Sequence, residues 1–230
     1  MDLSIRNRNA AISRWKKIHS KVRLSEGFTK EKVAINSYLC GDGNISIRKK
    51  GFHHDIRFFL DDIDLAKRVV NLFEKEFNVS PVIRRMKSKI GGGKGFFKVE
   101  ICNKPVCEHL LKLGNYGCMN WEIPKGLSSE FKKEWIKCFF DCEAHVNIGK
   151  RQIQVKSVNG NGLACLKNML EGWGIFPKLY GPYKQYSENH NSYYFLIVLG
   201  KENILGYSNN IGFYHPKKIK SLLELTRPLN

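Results

Sequence analysis

Acidic side chains are scarce in this sequence. Aspartate and glutamate total 21 against 39 lysines and arginines, which leaves a formal net charge of +18. The basic excess runs along the whole chain and is not gathered in a tail, so it predicts a polyanion, nucleic acid before any other. Long apolar runs are missing as well. Nothing reaches bilayer-spanning length and no signal-peptide core follows Met1, so the expectation is an intracellular, cytoplasmic protein (organellar in a eukaryote) with no membrane partner. The seven cysteines include no CxxC pair. Their odd number and scatter argue against a disulfide framework and favour reduced thiols used as small core residues. A zinc site from Cys102, Cys107 and a histidine lacks the paired spacing such sites use. The triple glycine in "KSKIGGGKG" (87–95) lacks the GxxxxGK[ST] spacing of a phosphate-cradling loop. It reads as a hairpin turn with basic flanks, and "YKQYSENHNS" (183–192) as its later counterpart.

What is present is a fold signal written twice. With 42% apolar and 12% aromatic residues, the 230-residue chain can build real cores, in one large domain or two small ones. "AINSYLCGDGNISIRK" (34–49) is paralleled by "WIKCFFDCEAHVNIGK" (135–150). In each, an apolar helical run ends in a small residue, an acid and a small residue, and an alternating strand follows. Asp42 and Glu143 occupy the same place, 101 residues apart. Two strands, a helix, two strands and a short helix come after each acid. Both halves close on Pro-Lys, at Pro124–Lys125 and Pro216–Lys217. The expected fold is α+β: two pseudo-symmetric α-β-β-α-β-β-α halves, each with a four-stranded antiparallel sheet. Residues 29–127 form the first half and 128–230 the second, after a basic extension over 1–28. That extension carries Arg6, Arg8, Arg14, Lys16, Lys17, Lys21 and Arg23, with Ile12, Trp15, Ile18 or His19, and Val22 at helical spacing. It is either a basic arm for nucleic acid or an amphipathic helix packed on the first half through Trp15.

The repeated acids point to chemistry. Thr29 is placed to cap the first leading helix, and Ser128 or Ser129 the second. Ser37 and Gly41 are four apart, as are Cys138 and Cys142, so each helix carries a small-residue stripe that admits a close partner. If the two helices pack on each other, Asp42 and Glu143 meet at their C-terminal ends. A carboxylate there opposes the helix dipole by about 0.3–1 kcal/mol, and two together repel. A divalent cation removes both problems, with the carbonyls of Gly41 and Cys142 as added ligands and magnesium as the suited ion. A helix stop and turn would also explain "CGDG" alone. The second copy, however, keeps the acid and has Ala144 in place of the glycine, as a chemical site would.

The helix "INSYLCGDG" and its partner "IKCFFDCEA" resemble the two signature helices of the LAGLIDADG homing endonucleases, in the single-chain, two-repeat form. The resemblance runs from about residue 30 to the C-terminus. It departs from the motif at Ser37, Cys138, Cys40 and Ala144. It implies a pseudo-symmetric monomer whose sheets form a saddle for double-stranded DNA, and metal-dependent cutting of both strands at a long asymmetric target. On that reading Asp42 and Glu143 are catalytic metal ligands. Lys125 and Lys217 stabilise charge near the scissile phosphates, since the Pro-Lys segment returns beside the signature helix in that fold. The strands then offer DNA-binding candidates: Arg48, Lys50, Arg57, Arg84, Arg85, Lys87 and Lys89 in the first half, and Lys150, Gln152, Gln154, Lys156, Lys184 and Gln185 in the second. The alternative is a nucleic-acid-binding protein of the same fold that does not cut, as an RNA maturase or regulator.

Overall fold

The computed structural model describes Ser13 and residues 21–47, 54–87, 95–184 and 191–227. Arg48, Lys50, Lys89, Gln185 and all of the proposed N-terminal arm before Lys21 except Ser13 lie outside the described residues. The described residues form seven helices and two four-stranded sheets. The first half runs α1 (Lys30–Gly41), β1 (Gly43–Ile47), β2 (His54–Leu60), α2 (Ile63–Phe77), β3 (Val82–Met86), β4 (Phe96–Cys102) and α3 (Lys104–Leu111). The second runs α4 (Ser129–Glu143), β5 (Ala144–Asn147), β6 (Gln152–Ser157), α5 (Gly160–Glu171), β7 (Lys178–Tyr183), β8 (Tyr193–Leu199), α6 (Lys201–Asn210) and α7 (Pro216–Thr226). The sheet orders correspond, β1-β2-β4-β3 and β5-β6-β8-β7, with every pairing antiparallel.

Alternation sets which sheet face is wet. Ile56, Phe58 and Leu60 of β2 and Val99 and Ile101 of β4 are buried under α2, whose Leu65, Val69, Leu72, Phe73 and Phe77 recur at helical spacing. Ile153, Val155, Leu196 and Val198 do the same in the second sheet. The intervening side chains point to the opposite, open face of each sheet.

The leading helices lie at the centre because neither can be wetted. All of Lys32–Cys40 in α1 is buried. Even the ammonium of Lys32 is enclosed, and it is satisfied by the carbonyls of Ser25 and Gly27, each at 2.7 Å, with Glu76 3.4 Å away. Both starts are capped as the sequence indicates: Thr29 accepts from the Lys32 N–H and Ser128 from the Phe131 N–H. Helices α1 and α4 pack along their small residues. The Ser37 hydroxyl donates to the Trp135 carbonyl at 2.5 Å, and the Trp135 indole donates to Asn36 at 2.7 Å. Gly41 is obligatory here: a Cβ on it would lie 2.5 Å from the Cβ of Cys142. The cores interlock across this seam. Val33 and Cys40 of α1 pack in the second core, and Cys138 of α4 in the first. The crossover from α3 to α4 follows suit, with Trp121 and Leu127 in the second core.

Candidate active site

Asp42 and Glu143 are brought together where the two helices end. Asp42 is the C-terminal cap of α1 and Glu143 the last residue of α4. The Glu143 Cγ would touch a Cβ on Gly41 at 3.7 Å, and the Glu143 carboxyl feels the charge of Asp42. Burial, and then the nearby Asp42, push the Glu143 carboxyl up to about 7; burial raises Asp42 as well. Glu143 lines a cleft of about 480 Å³ with Gly41, Asn44 of β1, Lys156 of β6 and Tyr193 of β8. The open faces of both sheets therefore border the cleft of Glu143.

The ammonium of Lys218 stands beside the two acids. Its Nζ donates to the carbonyls of Phe140 (3.0 Å), Asp141 (2.6 Å) and Cys142 (3.2 Å), the last turn of α4. There it offsets the negative end of the helix dipole and lowers the pKa of both Asp42 and Glu143. Burial, in turn, lowers the pKa of Lys218 itself. Asp141 aims this lysine. Its Oδ1 accepts the N–H groups of Tyr214 and His215, both at 2.9 Å, and so fixes the start of α7, while its Oδ2 accepts from Tyr38 of α1 at 3.2 Å.

The comparisons with known proteins agree with this architecture. Residues 130–212 match the LAGLIDADG-like domain family. The homing endonuclease I-DmoI, in complex with DNA and calcium, superposes with a TM-score of 0.62 at 13% identity, covering 84% of this chain and 97% of that one. I-WcaI bound to its DNA recognition sequence gives 0.58 at 12% identity, covering 92% and 91%. The second half thus matches a LAGLIDADG-like domain, and the chain as a whole has the two-repeat fold of these endonuclease structures. Another solved relative in fold is the DUF199/WhiA protein of Thermatoga maritima, at TM-score 0.55 and 12% identity, covering 94% of this chain and 67% of that one. In sequence, the chain is 26% identical over 196 residues to a replication factor C small subunit of Methanocaldococcus jannaschii. It is 33% identical over 114 residues to a probable translation initiation factor IF-2 of the same organism. It covers 84% and 47% of itself in these matches, but spans only about a tenth of either relative's length.

Several residues singled out from the LAGLIDADG resemblance sit elsewhere than expected. Lys217 is exposed on α7 and faces Asp61 and Asp62 at 3.9 and 4.0 Å; its neighbour Lys218 turns inward instead. Lys125 is exposed and lines a separate cavity with Met119, Pro124 and Cys165, not the cleft of Glu143. The Cys142 carbonyl has one lone pair engaged by Lys218, so Asp42, Glu143 and the Gly41 carbonyl are left as the freer donors. Arg84 and Arg85 cannot share a face. The register sets Arg84 opposite Lys98 on the open side and Arg85 opposite Phe97 on the core side. Arg57, Gln152, Gln154 and Lys156 are on the open faces, and Gln152 donates to Gln154 at 3.0 Å. Lys87, Lys150 and Lys184 are exposed at strand ends and turns.

Proposed function

We propose that this chain is a site-specific endonuclease that cuts both strands of duplex DNA at a long asymmetric target, with magnesium or another divalent cation. The observation that carries the reading is the pair Asp42–Glu143, set at the meeting point of two open, basic sheet faces. The donor set fits a hard cation. Among the described residues no group of three His, Cys, Asp or Glu side chains forms a cage. Magnesium, however, is commonly held by one or two carboxylates together with water and substrate phosphate. Asp42 and Glu143 would hold it, assisted by the Gly41 carbonyl. A bound divalent cation would supply activation of water and stabilisation of the phosphodiester oxygens. The protein's own share is positional. The helix pair fixes the spacing of the carboxylates, and Lys218 adds fixed positive charge beside them. The solved relatives described with DNA and with manganese, calcium or magnesium support the choice of partner and ion. The two curated relatives carry unrelated names, so the common segment, not replication or initiation, is what this chain resembles.

Asp42→Asn and Glu143→Gln test the site. Each is expected to abolish cleavage in magnesium while the chain still retards DNA, because the loss falls on metal charge and not on the sheet faces. Targets are drawn from a plasmid library with a randomised insert. Cutting by either variant at the parental rate would remove the pair from the chemistry. Binding without any cutting by the parent would favour a regulator or maturase on the same fold.

A further inference from the structure

The two open faces are not equivalent, and the first contains an unusual arrangement. Arg57 of β2 lies mid-sheet, with its side chain 31% exposed, between two carboxylates. Its Nη2 donates to Asp55 Oδ2 at 2.7 Å and its Nε to Glu100 Oε1 at 2.9 Å. Both acids are themselves held. Asp55 is 5% exposed, and its other oxygen accepts from the Cys102 thiol at 3.0 Å. Glu100 also receives Lys98 at 3.1 Å and has Arg84 at 3.9 Å. On the second open face, the described residues include His145, Asn147, Gln152, Gln154, Lys156 and Lys178, and no carboxylate.

Two acids on a surface meant for phosphate work against it, because they repel the backbone and neutralise the arginine. They make sense if the guanidinium is needed for its direction and not its charge. Arginine has five N–H groups. The two acids take the Nε–H and one on Nη2. Three remain, including one on each terminal nitrogen, and these two form the end-on fork that matches guanine O6 and N7. Resting on the endonuclease reading, we propose that Arg57 is a specificity determinant, held by Asp55 and Glu100 to read one guanine in the major groove. Its place in the target also follows. Arg57 lies opposite Asn44, two residues from Asp42. That offset is about 8 Å over the sheet, or two to three base pairs at about 3.4 Å each. The guanine lies on the first half's side, within roughly four base pairs of the cut.

The test is selection from a pool of duplexes randomised over roughly two helical turns, using the full chain with a chelator present so that nothing is cut. The parent is expected to enrich a G·C pair at one fixed position. Arg57→Lys keeps the charge and loses the fork. It should erase the preference there, about 5- to 150-fold in relative affinity, and leave the other positions unchanged. Arg57→Gln should move the preferred base from G towards A, a change that a merely structural arginine would not produce. The inference is overturned if both variants keep the parental preference. It is equally overturned if they weaken binding uniformly over all sequences, the mark of a phosphate contact. A pool in which the parent enriches no sequence would sink the site-specific reading itself, and this inference with it.

Discussion

The two halves share a topology and differ at the residue two before the acid. In the second half it is Asp141, whose carboxylate fixes the start of α7 and so delivers Lys218 to the end of α4. In the first half it is Cys40, whose thiol makes only long contacts to the carbonyls of Asn115 (3.9 Å) and Glu122 (4.0 Å). Where the second half has Pro216-Lys217-Lys218, the first has Pro124-Lys125-Gly126. A duplicated scaffold therefore brings the acids together symmetrically but supplies cation from one side. Symmetry places the ligands, and local sequence decides what assists them.

The sharpest way to break this comparison is to remove the lysines singly. Lys218→Met is expected to lower the cleavage rate by about 10²–10³, the scale of losing one preorganised donor. The slowing should differ between strands, so nicked product should accumulate. Lys125→Met and Lys217→Met should stay within a few-fold of the parent, being exposed and away from the cleft of Glu143. Single-turnover rates on each labelled strand decide it. Equal losses in all three variants would restore functional symmetry and make Asp141 irrelevant.

This contrast also marks what was legible in the chain. The acids, both N-caps, the sheets and the small-residue seam follow from a repeat and from local periodicity, so they could be read directly. Lys218 could not. Its contacts are 76 to 78 residues away in sequence, and the Pro-Lys symmetry points to its neighbour. One residue along a helix is a rotation of about 100°, enough to turn a buried ammonium into an exposed one. Arg84 and Arg85 show the same limit in a strand, where adjacent residues face opposite ways. Arg57 was visible as basic, and Asp55 two residues earlier was readable. Glu100 comes from a strand 43 residues on, and only the sheet order brings it there.

The next expected effect concerns charge between the halves. In the metal-free chain the Glu143 carboxyl lies at about 7 against an ordinary 4.5, through burial first and Asp42 second. The folded state thus holds this proton more tightly than the unfolded one does. Its cost to stability is absent below about 4.5, grows as pH rises and is complete above about 7. The cost is at most about 3.5 kcal/mol, at about 1.4 kcal/mol per pH unit. Glu143→Gln should therefore gain on the parent between pH 5 and pH 8 in denaturant unfolding with chelator present, and magnesium should narrow the gap. A difference that stays flat with pH would mean that neither burial nor Asp42 raises the Glu143 carboxyl in the folded chain.

The smallest effect tests the seam itself. A Cβ on Gly41 would lie 2.5 Å from the Cys142 Cβ and 3.0 Å from its Sγ. The first of these atoms is anchored to the α4 backbone and cannot swing aside, so Gly41→Ala must push the helices apart. Overpacking of this kind costs about 1–3 kcal/mol, offset by no more than about 1 kcal/mol from alanine's better helix propensity. In a chain of this size each kcal/mol lowers Tm by roughly 2–4 °C. Separation would also move Asp42 from Glu143, so cleavage should fall more than stability alone explains. Cys142→Gly makes room from the other side. Alone it loses a packed side chain and puts glycine in a helix, at about 1 kcal/mol for the glycine. Combined with Gly41→Ala it moves the single Cβ at this crossing from one helix to the other. The double variant should then be more stable than the sum of the two losses, by about 1 kcal/mol or more, because the residues share one contact. Strict additivity in thermal unfolding would show that the helices do not meet at Gly41 and Cys142, and the spacing assigned to the two acids would fall with it.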